Sequence, residues 1–111
     1  MLNLTPHAIT LRNQNGIDII IEPSGTVARV SSTSVDMDTG YEGLPVVKTV
    51  FGDVENVPAP NEGPFLVSAL VLGQLGPEYS GVAFAPATGP NDGCIRDSKG
   101  MIQAVTKLVT V

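Results

Sequence analysis

The chain has 111 residues, of which 42% are hydrophobic and only 15% are charged, so it is long enough for one domain with its own core and is not compositionally disordered. Six basic residues stand against eleven acidic ones, which gives a formal net charge of -5. Because this charge repels a long polyanion and the basic residues are scattered along the chain, nucleic acid is excluded as an expected partner.

The N-terminus lacks the pattern of a secreted or membrane protein. Residues 1–6 do not combine a basic segment with the apolar stretch of about 7 to 15 residues that a signal peptide requires. No run reaches the roughly 18 apolar residues that cross a bilayer. The sequence therefore predicts no membrane partner and an intracellular location.

Alternating apolar residues on both sides of an Asn-Gly pair predict an antiparallel hairpin over residues 7–22. The pair Asn15-Gly16 tolerates the positive φ angles that tight hairpin turns require. The second strand of this hairpin, residues 17–22, carries four isoleucines. A turn at 23–25 and a short third strand at 26–30 follow.

The middle of the chain changes from polar to apolar and back. Residues 31–44 are dominated by Ser, Thr, Asp and Gly and are predicted to form a long polar loop, which in a compact domain is usually functional or mobile. A fourth strand is predicted over 45–51, with Pro45 at the strand's first position. The Pro-rich, acidic connection 52–64 is predicted to be extended or turn structure without a helix.

The C-terminal half predicts more strands and one helix. Residues 65–75 favour a strand followed by a short helix that Ser68 caps, and a strand throughout is the alternative, because short apolar runs do not distinguish the two. A further strand is predicted over 81–85, and a closing hairpin is predicted from 94–96 and 101–109. About seven strands predict a mainly β fold, a small antiparallel barrel or sandwich with one short helix. Self-association removes the exposed edges of such a fold, which predicts a homo-oligomer.

Three patterns touch on catalysis or metal binding, and each lacks a required part. Asp38-Thr39-Gly40 is the triplet of retroviral-type aspartic proteases, but it lies in a polar segment, whereas the shared-proton pair needs a rigid apolar strand. The acidic residues within 36–42 lack the set positions of a Ca²⁺ loop. His7 and Cys94 are compatible with a nucleophile pair, but no flanking residue supports one. The sequence therefore predicts no enzyme, no metal site and no cofactor.

A turn rich in Gly and Thr leads from Thr88 and Gly89 to Arg96. Its backbone N–H groups and its hydroxyl are hydrogen-bond donors, and the guanidinium of Arg96 is a planar fork that suits a phosphate or a carboxylate. This combination predicts a site for a small anion, and a solvated hairpin corner is the alternative.

Five segments in their order along the chain resemble one family. The first is Asn3-Leu4-Thr5-Pro6-His7-Ala8-Ile9, and the others lie within residues 23–30, 44–54, 66–71 and 88–90, so that the resemblance spans nearly the whole chain. The chain resembles a family of small, mostly uncharacterised proteins found in bacteriophages, prophages and some bacteria. The resemblance implies a phage-type accessory or structural protein, located in the cytoplasm of the bacterial host or, if structural, in the virion, and no catalytic residue comes with it.

Polar residues within these segments predict one binding recess, provided that a closed sheet gathers them. The residues expected to converge are Arg29, Lys48 and Arg96 for positive charge, with His7, Thr88 and Gly89 for hydrogen bonds. The first functional hypothesis is non-enzymatic capture of a small anionic or nucleotide-like ligand, as in phage proteins that sequester host immune nucleotides. The second is a virion decoration or adaptor protein, whose segments 31–44 and 52–64 contact other virion or host proteins.

Overall fold

The computed structural model describes all 111 residues and contains ten strands in four separate sheets. The strands are β1 (Leu2–Asn3), β2 (Ile9–Arg12), β3 (Asp18–Ile21), β4 (Arg29–Tyr41), β5 (Leu44–Glu55), β6 (Phe65–Leu66), β7 (Ala83–Pro86), β8 (Ile95–Arg96), β9 (Ile102–Ala104) and β10 (Leu108–Val109). Helix α1 (Ala69–Leu72) and one 3-10 turn (Pro77–Tyr79) lie between β6 and β7. The protein is therefore mainly β with one short α-helix, as the sequence predicts.

The core lies on a four-stranded sheet in the order β1-β6-β7-β10. β1 and β7 both run parallel to β6, and β10 pairs antiparallel with β7. The consecutive residues Phe65, Leu66 and Val67 are all buried, because both faces of β6 are covered, as is usual for a central parallel strand. The ring of Phe65 packs edge-on against Tyr79, with centroids 6.0 Å apart. Strand β7 of this sheet ends at Pro86, which lines the candidate site described below.

The predicted strand and short helix within residues 65–75 are confirmed. Ser68 is the N-cap of α1, and its hydroxyl accepts a hydrogen bond from the backbone N–H of Val71 at 3.3 Å. Gly73 ends the helix after one turn, and the next N–H, that of Gln74, donates to the carbonyl of Val71. Such an i→i−3 bond tightens the end of a helix, so α1 is shorter than the two turns that the apolar run allows.

The hairpin predicted over residues 7–22 is confirmed as the antiparallel pair of β2 and β3. The side chain of Asn13 organises its turn, since Oδ1 accepts hydrogen bonds from the N–H groups of Asn15 at 2.9 Å and Ile17 at 3.0 Å. Gly16 has a φ of 76°, the left-handed conformation that the Asn-Gly signal predicts. The prediction succeeds here because the whole element is specified within a few residues.

The largest correction concerns the middle of the chain. Residues 31–44 do not form a polar loop; β4 and β5 pair along residues 29–55 as one long antiparallel hairpin, which we call the arm. Its turn is Glu42-Gly43, where φ is 53° and 78°, a two-residue turn with both residues left-handed. Because Ser and Thr also occur in exposed strands, the polar composition of this segment does not distinguish a solvent-exposed strand from a loop. The predicted connection 52–64 contains no helix, but its first four residues, 52–55, belong to β5.

Two further expectations are corrected by the sheet topology. The sheets do not close into a barrel, and the core sheet contains two parallel pairs, whereas the sequence predicts a small, mainly antiparallel barrel or sandwich. The segment 101–109 is not one strand: β9 pairs with β8, and β10 leaves to pair with β7. Strands of two residues such as β1 and β10 are too short to produce a readable alternation, so their partners are decided by packing.

The arm projects from the domain that carries the core. Every residue from 31 to 53 is exposed. The Cα radius of gyration is 16.8 Å and the principal dimensions are 53 × 39 × 24 Å. A compact chain of this length has a radius of gyration of about 13 Å. The molecule is therefore a small core domain with an extended two-stranded projection.

Candidate functional site

The N-terminal motif forms a buried polar cluster beneath His7. The side chain of Asn3 is almost completely buried, and Nδ2 donates to the carbonyls of His7 and Ile21, both at 2.9 Å. Oδ1 of Asn3 accepts from the backbone N–H of Thr5 at 2.9 Å and lies 2.7 Å from its hydroxyl. All hydrogen-bonding groups of this buried amide are thus satisfied. Asn3 and Thr5 hold the backbone at His7, while the His7 side chain stays exposed.

His7 opens onto a cleft of about 640 Å³ that also contains Arg96, and we call it the His7–Arg96 cleft. β2, β9, the end of β7 and the turn at Gly100 surround it. Its polar lining residues are His7, Thr10, Thr88, Arg96 and Gln103. No Asp or Glu lines this cleft, although the chain has eleven acidic residues. The cleft is therefore locally cationic in an anionic protein.

The guanidinium of Arg96 is held in place by two backbone carbonyls. Nη1 donates to the carbonyl of Gly100 at 3.0 Å, and Nη2 donates to that of Thr88 at 3.2 Å. Asp97 shapes the turn that presents Gly100, since its Oδ1 accepts from the N–H groups of Lys99 and Met101, both at 2.9 Å. The remaining guanidinium N–H groups are free to bind an anion, and a fixed guanidinium loses little side-chain entropy on binding.

Three of the six predicted ligand-binding residues, His7, Thr88 and Arg96, line the same cleft. The sequence predicts His7 at the start of a strand, but in the structure His7 lies on the bend before β2. Gly89 adjoins Thr88 but does not line the cleft, and its N–H donates to Oδ2 of Asp92 at 2.8 Å. The backbone donor predicted at Gly89 is therefore already used within the turn.

The other two predicted cations lie elsewhere, so the expected convergence of Arg29, Lys48 and Arg96 within one chain is corrected. Arg29 lines a separate cleft of about 360 Å³ beside α1, where Glu55 is its cross-strand neighbour. Lys48 lies in the arm opposite Val35 and lines none of the three main cavities. Because β4 and β5 project from the core sheet instead of closing a barrel, their cations are not carried to the His7–Arg96 cleft.

Sequence reasoning missed Thr10 and Gln103, which also line the cleft. Thr10 lies on β2 and Gln103 on β9, and Val105, directly after β9, joins the two through backbone hydrogen bonds. Its N–H donates to the carbonyl of Thr10 at 2.9 Å, and its carbonyl accepts from the N–H of Arg12 at 2.8 Å. Each is a polar residue between two apolar residues of its strand, which is the signal that the sequence contained. Their shared location depends on the lateral pairing of two hairpins far apart in sequence.

The alternative chemistries of the sequence acquire no supporting geometry. Asp38 lies at an irregularity of the exposed arm with a φ of 56°, so the Asp38-Thr39-Gly40 triplet is not on an apolar strand. No group of three or more His, Cys, Asp or Glu side chains is placed to hold a metal ion. Cys94 is a free, partly buried thiol. None of the helices has both the length and the apolar character needed to cross a membrane.

Comparison of the chain with protein-family models, with curated proteins and with solved structures gives no match. The chemistry of the cleft is therefore read from its own residues. They provide one fixed guanidinium, one imidazole, two hydroxyls and one amide above an apolar lining that includes Ile9, Pro86 and Met101. This set can bind a small anion and hold an apolar or planar group next to it.

Proposed function

We propose that this protein is a non-enzymatic, phage-type accessory protein that captures a small anionic ligand in the His7–Arg96 cleft. The observation that carries the proposal is the fixed guanidinium of Arg96 in a cleft without a carboxylate. In a chain of net charge -5, such a region is where an anion is attracted and not repelled. The function is binding itself, without turnover.

A nucleotide-like ligand fits the distribution of groups in the cleft. Arg96 suits a phosphate, because a guanidinium binds phosphate oxygens through two parallel N–H bonds. Thr10 and Gln103 are available for sugar or base hydroxyl and amino groups, and Ile9 and Met101 offer apolar surface for a base. The volume of about 640 Å³ lies within the roughly 300–1,000 Å³ typical of small-molecule sites.

The resemblance of the N-terminal motif to phage proteins supports a role in infected bacteria. Capture of a host immune nucleotide is the anti-defence function that combines this resemblance with the chemistry of the cleft. Such a protein acts by lowering the free concentration of the signal. Affinity and the number of copies made, rather than a rate of conversion, then decide its effect.

The test is thermal unfolding against a panel of mononucleotides, cyclic dinucleotides and inorganic phosphate. A ligand at 100 times its dissociation constant stabilises the fold by about 2.7 kcal/mol and raises Tm by several degrees. Arg96→Ala is expected to weaken binding by about tenfold or more, because a hydrogen bond to a charged group contributes about 1.5–3 kcal/mol.

Arg29→Ala and Lys48→Ala are the matched controls, since each removes one exposed positive charge outside the cleft. Both are expected to bind the same ligand within about twofold of the wild type. Unchanged binding by Arg96→Ala, or equal losses in all three variants, contradicts the assignment to this cleft. Recovery of a chemically altered ligand by mass spectrometry contradicts the non-enzymatic assignment.

A virion decoration or adaptor protein is the second candidate, and the arm is the observation that favours it. Its exposed strands provide an extended surface for contact with other proteins. Under this function the protein remains with purified particles after density-gradient separation, and mass spectrometry detects it there. Under the capture function the protein is found in the soluble fraction of infected cells and the particles lack it.

A further inference from the structure

Strand β3 is an apolar sheet edge without a neighbour. It pairs only with β2, so its other edge has free backbone N–H and C=O groups. Ile19 and Ile20 point to opposite faces and are 52% and 61% exposed. Isoleucine on both faces is typical of a strand that is covered on both faces. The sequence of β3 therefore suits a sheet that continues beyond this edge.

The two strands of the arm pair only with each other and are not part of a larger sheet. An isolated two-stranded hairpin is at best marginally stable in water. Val35 lies opposite Lys48, and Val46 and Val50 are two residues on either side of Lys48, so the three valines share one face. All three are exposed. This valine-lined face of the arm, which also carries Lys48, has nothing to pack against within the chain; it is called the apolar face below.

The surface area of the chain indicates how much contact is missing. The accessible surface is 7373 Å², whereas a folded chain of 11.5 kDa exposes about 5,800 Å². The excess of about 1,600 Å² corresponds to two contact surfaces of roughly 800 Å² each. The arm and the four residues of the β3 edge both lie within this exposed surface. The 13 residues of β4 and 12 of β5 match the roughly 20–30 residues on one side of a stable interface.

We propose that the arm of one copy of this protein adds to the free edge of β3 in a second copy. Main-chain hydrogen bonds along the edge and valine–isoleucine contacts join the two chains. A shallow groove of about 230 Å³ beside Ile19 receives valine side chains from the apolar face of the arm; its lining combines the apolar Leu11 and Leu108 with Arg12 and Lys107. Within one chain no strand pairing links the arm to β3.

A second copy is the occupant because one chain carries both halves of the contact. Exchange between identical chains covers the arm and the β3 edge at once. Such an exchange repeated in both directions gives a symmetric dimer with two equivalent contacts. This inference is independent of the proposed anion capture, because Ile19, Ile20, Val35 and Val46 do not line the His7–Arg96 cleft.

The test measures the mass of the wild-type chain and two variants by light scattering after gel filtration. The arm variant is Val35→Lys with Val46→Lys, and the edge variant is Ile19→Lys with Ile20→Lys; all four sites are exposed, so circular dichroism is expected to show intact folds. The wild type is expected at a multiple of 11.5 kDa and each variant at 11.5 kDa. Val47→Lys, on the opposite face of the arm, is the control and is expected to associate like the wild type.

Mixing the two variants is the decisive measurement. The arm of the edge variant and the β3 edge of the arm variant are both intact, so a mixed oligomer is expected from two chains that do not associate alone. A monomeric wild type overturns the proposal, as does an edge variant that remains oligomeric through arm-to-arm packing, or a mixture that stays monomeric. Ligand-induced Tm shifts in the arm variant report separately on the anion cleft, so either proposal can fail without the other.

Discussion

At the residue scale, Asn3 shows how a buried polar side chain supports an exposed one. Its amide makes hydrogen bonds to Thr5, His7 and Ile21, and these bonds fix the backbone on which the His7 ring is displayed. The N-terminal motif therefore contains two kinds of residue: Asn3 and Thr5 are structural, and His7 faces the cleft. Sequence inspection placed these residues together but did not separate the two roles.

Asn3→Ala is expected to lower the free energy of unfolding by about 3 kcal/mol, because it removes the four hydrogen bonds that the buried Asn3 amide makes to Thr5, His7 and Ile21. Asn13→Ala is the control, since Asn13 also accepts two backbone hydrogen bonds but lies in an exposed turn. A loss of about 1 kcal/mol is expected there, where water replaces the amide. Denaturant unfolding measures both, and equal losses would show that burial of Asn3 contributes nothing.

Arg29, Lys48 and Arg96 carry the same charge but differ in their surroundings. Glu55 is the cross-strand neighbour of Arg29, Lys48 lies on the arm, and only Arg96 is held by backbone carbonyls within a carboxylate-free cleft. Residue type and position along the chain are compatible with a site for all three. Their separation follows from the direction in which the arm leaves the core, which depends on contacts distant in sequence.

At the element scale, the hairpins differ in how far local sequence specifies them. The β2–β3 hairpin follows from its Asn-Gly turn and its alternating strands, so it was predicted with its turn residues. The arm has a turn of the same geometry at Glu42-Gly43, but its first strand is polar and was predicted as a loop. A polar segment becomes a strand only when a partner strand satisfies its backbone, and that partner, β5, is the information that local composition lacks.

An ion pair between β2 and β3 makes the stability of this hairpin depend on pH. Nε and Nη2 of Arg12 donate to the two carboxylate oxygens of Asp18 at 2.6 and 3.0 Å. The hydrogen bond and the positive charge of Arg12 lower the pKa of Asp18 below its ordinary value of 3.8. Stability gained from this pair is present above that value and is lost as the pH falls through the lowered pKa of the folded state.

Asp18→Asn is therefore expected to reduce stability at neutral pH and to flatten the decline of stability below about pH 4, where Asp18 of the unfolded wild type takes up a proton before Asp18 of the folded protein does. The effect is small, because the pair is exposed to solvent. Urea unfolding at a series of pH values from 2 to 7 measures it. Parallel pH profiles for the two proteins would show that the ion pair contributes no pH-dependent stability.

At the scale of the whole molecule, the net charge makes the two proposed interactions, self-association through the arm and anion binding at Arg96, respond to salt in opposite directions. Each copy carries a net charge of -5, so copies repel one another at low ionic strength. Salt shortens the Debye length to about 8 Å at 0.15 M and about 3 Å at 1 M. Screening therefore favours association of copies through the arm and weakens attraction of an anion to Arg96.

Raising NaCl from about 0.05 to 0.5 M is expected to increase self-association and to raise the dissociation constant of the captured anion. Sedimentation velocity measures the first change, and calorimetric titration of the anion measures the second. The control replaces the added NaCl with a neutral osmolyte, which changes the solute concentration without changing the ionic strength. Association that weakens as salt rises would indicate that charge pairs, and not apolar contacts, join the copies.

Local sequence determined the mainly β class, the β2–β3 hairpin and the Ser68-capped helix, and it identified His7, Thr88 and Arg96 as candidate binding residues. These follow from turn residues, alternation and capping, which act over a few positions. Only the tertiary structure decided that β1 and β7 flank β6 in parallel, that residues 29–55 project as an arm, and that Arg96 is separated from Arg29 and Lys48. Those features depend on which distant segments bury one another, and the free energy of that burial is a property of pairs of segments that neither segment reveals alone.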